Sequence, residues 1–120
     1  MKPETKTTRD RNFQPFQALE VALEIVASLR YVVCTIRRHD VKLAQQTVAS
    51  ASSIAANLAE GNRRSGRDRA SFFRIAAGSA DETRTHLRVA MAWGFLQLSD
   101  TETAMQLIDR ELAMLWRLTH

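Results

Sequence analysis

The chain has 120 residues, 45% hydrophobic and 25% charged, which is enough for one domain with a hydrophobic core. Four Gly and two Pro argue against an all-β fold, because such folds need frequent turn residues. The most apolar stretch, residues 16–36, contains Glu20, Glu24 and Arg30, which excludes a transmembrane helix.

Residues 1–12 are polar and carry several Lys and Arg, so we predict a disordered basic tail. Their charge also argues against a signal peptide, and we therefore expect a cytoplasmic protein. Residues 13–120 are predicted to form the folded domain.

The first predicted helix runs from about Phe16 to Arg38. Its apolar residues recur at spacings of three and four, which places them on one face: Leu19, Ala22, Val26, Leu29, Val33 and Ile36. A second apolar row contains Val21, Ile25 and Val32. This apolar surface is larger than a surface helix of a monomer needs, so we expect this helix also to contact another subunit. Cys34 follows two Val residues and is predicted to be buried.

The second predicted helix begins after Asp40, a good N-cap residue, and runs to about Glu60. Its many Ala and Ser residues allow a neighbouring helix to approach closely. Gly61 is predicted to stop it, because glycine adopts the left-handed conformation without strain.

The third predicted helix runs from about Arg67 to Leu96, after a capping box formed by Ser65 and Asp68. Its predicted inward row is Phe72, Ile75, Ala76, Ser79, Thr83, Leu87, Ala90 and Gly94. A fourth helix follows a capping box of Ser99 and Glu102. Short connections between four helices predict an all-α, antiparallel up-down four-helix bundle.

The sequence contains no pattern typical of a metal, cofactor or catalytic site. A di-iron bundle needs Glu-x-x-His motifs on two helices, whereas Glu82 and His86 are four residues apart and occur once. Cys34 has no base or activating group near it in sequence. We therefore predict a protein without a cofactor that is not an enzyme.

Arginine is concentrated in two predicted turns, at Arg37 and Arg38 and around Gly66 at Arg63, Arg64, Arg67 and Arg69. Such clusters suggest phosphate contacts, although Arg-rich turns can equally be solvated or paired with Glu60 and Asp68. Aromatic residues are scarce near these clusters in the sequence, which favours contacts with the nucleic-acid backbone over base stacking.

The stretch from Ser53 to Glu82 resembles a known bacterial family. It reads SIAANLAEG over 53–61, then Arg64-Ser65, FFRIAAGS over 72–79, and Glu82. The four-helix-bundle proteins encoded in intervening sequences of 23S ribosomal RNA genes have a similar pattern, S-I-P-A-N-I-A-E-G, R-S, F-L-x-I-A-x-G-S and Glu. This chain departs from it with Ala55 in place of Pro, and with Arg84 where an acidic residue is common.

The resemblance implies a homopentameric ring of four-helix bundles. A relative in structure, the accessory protein of diversity-generating retroelements, binds nucleic acid and partners a reverse transcriptase. Two hypotheses follow. One is a non-enzymatic oligomer that binds RNA or DNA through its Arg-rich turns, and the other is a scaffold or accessory subunit for a protein such as a reverse transcriptase.

Four polar residues of the family pattern, Asn57, Glu60, Ser79 and Glu82, fall near the apolar rows of the second and third helices. They could form a ligand site. We favour a structural network instead, since buried polar groups must be hydrogen-bonded and such networks fix one packing. Arg64 is a candidate partner for either glutamate.

Overall fold

The computed structural model of the chain describes residues 16–120, and every regular element in that range is an α-helix. The helices are α1 (Gln17–Ser28), α2 (Arg30–Arg37), α3 (Val41–Asn62), α4 (Gly66–Ala92) and α5 (Leu98–Thr119). The all-α prediction is confirmed. The predicted tail, residues 1–12, lies outside the described residues.

The helices pack around one shared core. Helix α3 packs against α4, α4 against α5, and α5 against α1, while α1 and α2 both pack against α3. The rings of His39 and Phe95 stack 4.7 Å apart, which brings the connection before α3 to the end of α4. The rings of Phe16 and Phe73 lie 5.7 Å apart, so the start of α1 lies beside the start of α4.

The first predicted helix is interrupted at Leu29, so the expectation of one continuous helix is wrong at that point. The Ser28 hydroxyl donates to the Ile25 carbonyl at 2.7 Å, and the Leu29 N–H donates to the Val26 carbonyl at 3.1 Å. Both bonds compete with the regular pattern and tighten the turn. A cleft of about 360 Å³ lies between α2 and the start of α5.

The core contains most of both predicted apolar rows of the first helical segment and most of the predicted inward row of α4. In α1, Val21 and Ile25 are buried while Val26 is 37% exposed. In α4, the predicted inward row is buried from Ala76 to Ala90, whereas Ile75 is 49% exposed and Phe73, outside that row, is buried. Apolar residues on both sides of Arg74 permit either phase of the helix. The observed phase places the Phe73 ring against the surface of α3.

Gly61 makes that close contact possible. It lies within α3 rather than stopping the helix, and a Cβ atom there would come within 2.7 Å of the Phe73 ring. A glycine in the left-handed conformation does follow α4, where Gly94 has a φ of 80°. The Gly94 N–H donates to the Met91 carbonyl and the Phe95 N–H to the Ala90 carbonyl, each at 2.9 Å. This Schellman arrangement ends α4 at Ala92, four residues before the predicted end.

One of the predicted helix caps is observed in the structure, and another is replaced by a different cap. The Asp40 side chain accepts the N–H three residues on at 3.0 Å, as predicted. Helix α5 begins earlier than predicted, and its Asp100 carboxylate accepts the Gln97 N–H at 2.8 Å. The predicted Ser99–Glu102 capping box is therefore wrong by two residues.

Candidate nucleic-acid interface

The connection between α3 and α4 carries four of the six candidate arginines. Gly66, with φ of 60°, lets the chain turn sharply into α4. Arg63, Arg64 and Arg67 are exposed and Arg69 is half-buried. The segment is therefore short, fixed by helices on both sides, and rich in positive charge.

Arg64 is held by two acidic residues. Its guanidinium donates to the Glu60 carboxylate at 2.8 and 3.0 Å and lies 3.4 Å from the Asp68 carboxylate. The hydrogen bond to Glu60, with its charge and that of Asp68, raises the pKa of the Arg64 guanidinium. Because Asp68 is engaged here and Ser65 makes no cap hydrogen bond, the predicted capping box does not form.

Arg69 secures the end of α3. Its Nη1 donates to the Asn62 carbonyl at 3.2 Å and to the Gly61 carbonyl at 3.5 Å. Its guanidinium lies 4.8 Å from the Phe73 ring centroid and 6.0 Å from that of Phe16. A side chain with these contacts stabilises the connection and has little reach for a ligand.

Arg63 and Arg67 remain available. Neither side chain forms a hydrogen bond or ion pair with any residue in the range 16–120. Arg74, two helical turns after Arg67 in α4, is also exposed and has no such partner among these residues. The structure therefore separates two arginines that hold the connection from three that extend into solvent.

Arg37 and Arg38 belong to a different part of the molecule. Both are exposed at the connection between α2 and α3, where the Arg38 guanidinium donates to the Thr35 hydroxyl at 3.3 Å. The 22 residues of α3 separate them from the Arg63 connection by about 33 Å. The six candidate arginines therefore form two surfaces.

The four polar residues of the family pattern also fall into separate groups. Ser53 links two of them: its hydroxyl lies 2.8 Å from that of Ser79, and Asn57 donates to its carbonyl at 2.9 Å. Glu60 pairs with Arg64 outside this cluster. This is one of the two pairings that the sequence analysis offered for Arg64. Glu82 lies 3.4 Å from the imidazole of His86.

Residues 16–117 match the family model described as 23S rRNA-intervening sequence protein. The chain belongs to this family. A crystal structure of a protein of unknown function from the S23 ribosomal protein family of Bacteroides thetaiotaomicron is similar, with a TM-score of 0.77 and 18% identity. The likeness covers 85% of this chain and 97% of that chain, and at this identity it shows the fold alone. No curated protein sequence matches the chain.

The protein also has an exposed aromatic surface that the sequence analysis did not predict. Trp116 of α5 is 61% exposed, and its ring stacks on that of His120 at 3.4 Å. Trp116 and Arg74 line one groove of about 490 Å³ between α4 and α5. The two residues are 42 positions apart, so no local pattern could have indicated their proximity.

No cluster of three metal-ligating side chains occurs within residues 16–120. In the same range, no helix is both long and apolar enough to cross a membrane. Cys34 is exposed, and the prediction that it is buried is wrong. Its position in the helix turns it away from the core, towards a groove that it lines with Val26 and Val48.

Proposed function

We propose that this protein is a non-enzymatic nucleic-acid-binding protein whose α3–α4 connection contacts phosphates through Arg63 and Arg67. The observation that carries the proposal is that both guanidinium groups are exposed and have no partner among the described residues. Arg64 and Arg69 hold the connection in place, so the two available arginines are presented from a fixed backbone.

The electrostatics of the connection favour a polyanion. Four arginines of the segment lie beside two acidic residues, Glu60 and Asp68, and both acids pair with Arg64. Contacts of this kind bind phosphates without reading the base sequence, and counterion release makes them sensitive to salt. Either RNA or DNA fits such a surface.

We further propose that the protein is an antiparallel up-down four-helix bundle that assembles into a cyclic homo-oligomer, with five subunits expected from the family resemblance. An apolar groove of about 320 Å³ between α1–α2 and α3 supports a contact with a second copy. Val26 and Val48 line it and are exposed, as is Leu23 of α1. A ring would repeat the Arg63 connection and raise its avidity.

The binding proposal can be tested by fluorescence anisotropy with a labelled duplex DNA and a structured RNA. We expect affinity that falls steeply between about 50 and 200 mM salt. Arg63→Ala with Arg67→Ala should weaken binding of both probes and reduce the salt slope by about two, one for each lost phosphate contact.

Lys42→Ala with Arg88→Ala is the matched control, because it removes the same charge from exposed positions outside the connection. Equal losses in both double variants would mean that only net charge matters. Arg37→Ala with Arg38→Ala shows whether the second cluster contributes. An intact oligomer that binds neither probe at the lowest salt would refute the proposal and favour the scaffold or accessory-subunit hypothesis.

The assembly proposal is tested by light scattering coupled to size exclusion. We expect a mass of about five times the 13.6 kDa chain. Val48→Glu should reduce that mass by placing a charge in the apolar groove, whereas Gln45→Glu, at another exposed position of α3, should not. A monomeric wild-type protein at micromolar concentration would contradict the proposal.

A further inference from the structure

We propose that the groove between α4 and α5 binds single-stranded nucleic acid, with a base stacked on Trp116 and a phosphate held by Arg74. The inference rests on the proposed nucleic-acid binding and extends it from backbone contacts to a class of substrate. It contradicts our own expectation from the sequence, in which aromatic residues are distant from the arginine clusters.

Trp116 is built as a stacking surface. The imidazole of His120 lies nearly parallel to its ring, 18° from coplanar and with the centroids 3.4 Å apart. One face of the indole is therefore covered by His120, while the residue as a whole remains 61% exposed. A planar aromatic group that is held on one side and open on the other can extend the stack with a nucleobase.

The walls of the groove complement an anion that carries flat apolar groups. Its lining combines Arg74, Thr119 and His120 with apolar side chains such as Leu112, and contains no acidic residue. Further along the same seam, the Arg84 guanidinium lies 3.2 Å from the Asp109 carboxylate. Positive charge at Arg74 is thus free for a ligand, while the next arginine is paired.

The groove continues the surface of the α3–α4 connection. Arg67 and Arg74 are seven residues apart on α4, and two helical turns place them on the same side, about 10 Å apart along the axis. One strand can therefore contact Arg67, Arg74 and Trp116 in succession.

A single strand and a duplex would contact different parts of this surface. In a duplex the bases are stacked on each other and cannot lie on an indole, so a duplex would contact the arginines alone. A single strand would add base stacking, which contributes a factor of about 5 to 150 in affinity per base. The groove therefore predicts a preference for single strands.

The test uses the intrinsic fluorescence of the two tryptophans. The Trp93→Phe variant retains only Trp116 and is titrated with an unstructured oligothymidine of about 12 nucleotides and with a blunt duplex of equal length. We expect strong quenching by the single strand and little by the duplex. The Trp116→Phe variant, which retains only the 70% exposed Trp93, should show no quenching with either.

Affinity provides the second readout. Trp116→Leu should weaken single-strand binding by about 5- to 150-fold and leave duplex binding within about twofold. Trp93→Leu, the matched control, should change neither. Arg74→Ala should weaken single-strand binding more than duplex binding. Light scattering of each variant must give the wild-type mass.

The possible failures are distinguishable. If both probes bind, lose affinity with Arg63→Ala and Arg67→Ala, and ignore Trp116→Leu, the groove proposal is refuted and the proposed function stands. If neither probe binds, both are refuted. If Trp116→Leu lowers the oligomer mass, Trp116 is a contact between subunits and the groove proposal is overturned.

Discussion

Two polar regions on different sides of the core differ in whether their buried polar atoms have hydrogen-bond partners. Between α3 and α4, the hydroxyls of Ser50 and Thr83 lie 2.8 Å apart, and those of Ser53 and Ser79 lie at the same distance. Each of Ser50 and Thr83 also has a backbone carbonyl of its own helix within reach, so one hydroxyl donates across the pair and the other can donate to its own helix. In α5, which packs against α1, Glu111 is fully buried and neither carboxylate oxygen has a hydrogen-bond partner among the described residues.

The difference shows what each region can contribute. A hydroxyl pair that also bonds its own backbone costs little to bury and fixes the register of two helices. A carboxyl without partners is tolerated only when it is neutral. Burial raises the pKa of Glu111 to about 8, and the negative charge of Glu24 adds to the shift while Arg110 opposes it. The pH dependence of stability should therefore come from Glu111 in α5, and not from the hydroxyl groups between α3 and α4.

The largest expected effect is a pH dependence that originates from Glu111. Unfolded Glu111 releases its proton near 4.5, whereas the folded protein holds it until about pH 8. Unfolding between these values releases a proton, so the free energy of unfolding should fall as pH rises, by at most about 1.4 kcal/mol per unit. Urea denaturation at several pH values measures this slope.

Glu111→Gln separates the charge from the shape of the side chain. The amide is neutral at every pH, so the variant should lose most of this slope and exceed the wild type in stability at pH 8. Glu102→Gln, at an exposed position of the same helix, is the control and should keep the slope. A wild-type protein whose stability is flat between pH 5 and pH 8 would contradict the assignment to Glu111.

A second, intermediate effect concerns the closeness of α3 and α4. Gly61→Ala would place a methyl group 2.7 Å from the buried Phe73 ring, and overpacking of this kind costs about 1–3 kcal/mol. Gly78→Ala is the matched control, because a Cβ atom there has no neighbour within 4 Å. Better helix propensity should stabilise that variant by up to about 1 kcal/mol. Thermal unfolding that shifts in the same direction for both would contradict the close approach.

The smallest effect is expected from the hydroxyl pair itself. Thr83→Val keeps the shape of the side chain and should cost about 1 kcal/mol, because Ser50 retains its bond to the Thr47 carbonyl. Adding Ser50→Ala should cost less than its effect in the wild type, and a double-mutant cycle measures this coupling. Additive losses would show that the two hydroxyls act independently. Thr85→Val, on the exposed face of α4, is the control.

The sequence predicted the helical fold well, because apolar spacing and caps are local signals. Asp40 lies where its capping role was predicted, and the start of α1 lies within a residue of its predicted position. The family pattern over 53–82 also indicated the membership that the match over residues 16–117 confirms. These features depend on residues that are close in the chain.

The features that the sequence did not predict depend on packing between distant residues. Gly61 matches a helix stop locally, and only the Phe73 ring of the next helix shows why it lacks a side chain. Cys34 and Ile75 lie in apolar runs that are compatible with more than one helical phase, and both are exposed. The closeness of Arg74 and Trp116 arises in the same way, from the pairing of α4 with α5.

The interruption at Leu29 divides the first helical segment into two units with unequal support. Helix α1 contacts both α3 and α5, whereas α2 packs against α3 beside the cleft that separates it from α5. Local opening requires less free energy where fewer buried contacts must be broken. The amides of α2 should therefore exchange with solvent through smaller fluctuations than those of α1, and such local opening would move Arg37, at the end of α2, without unfolding α1.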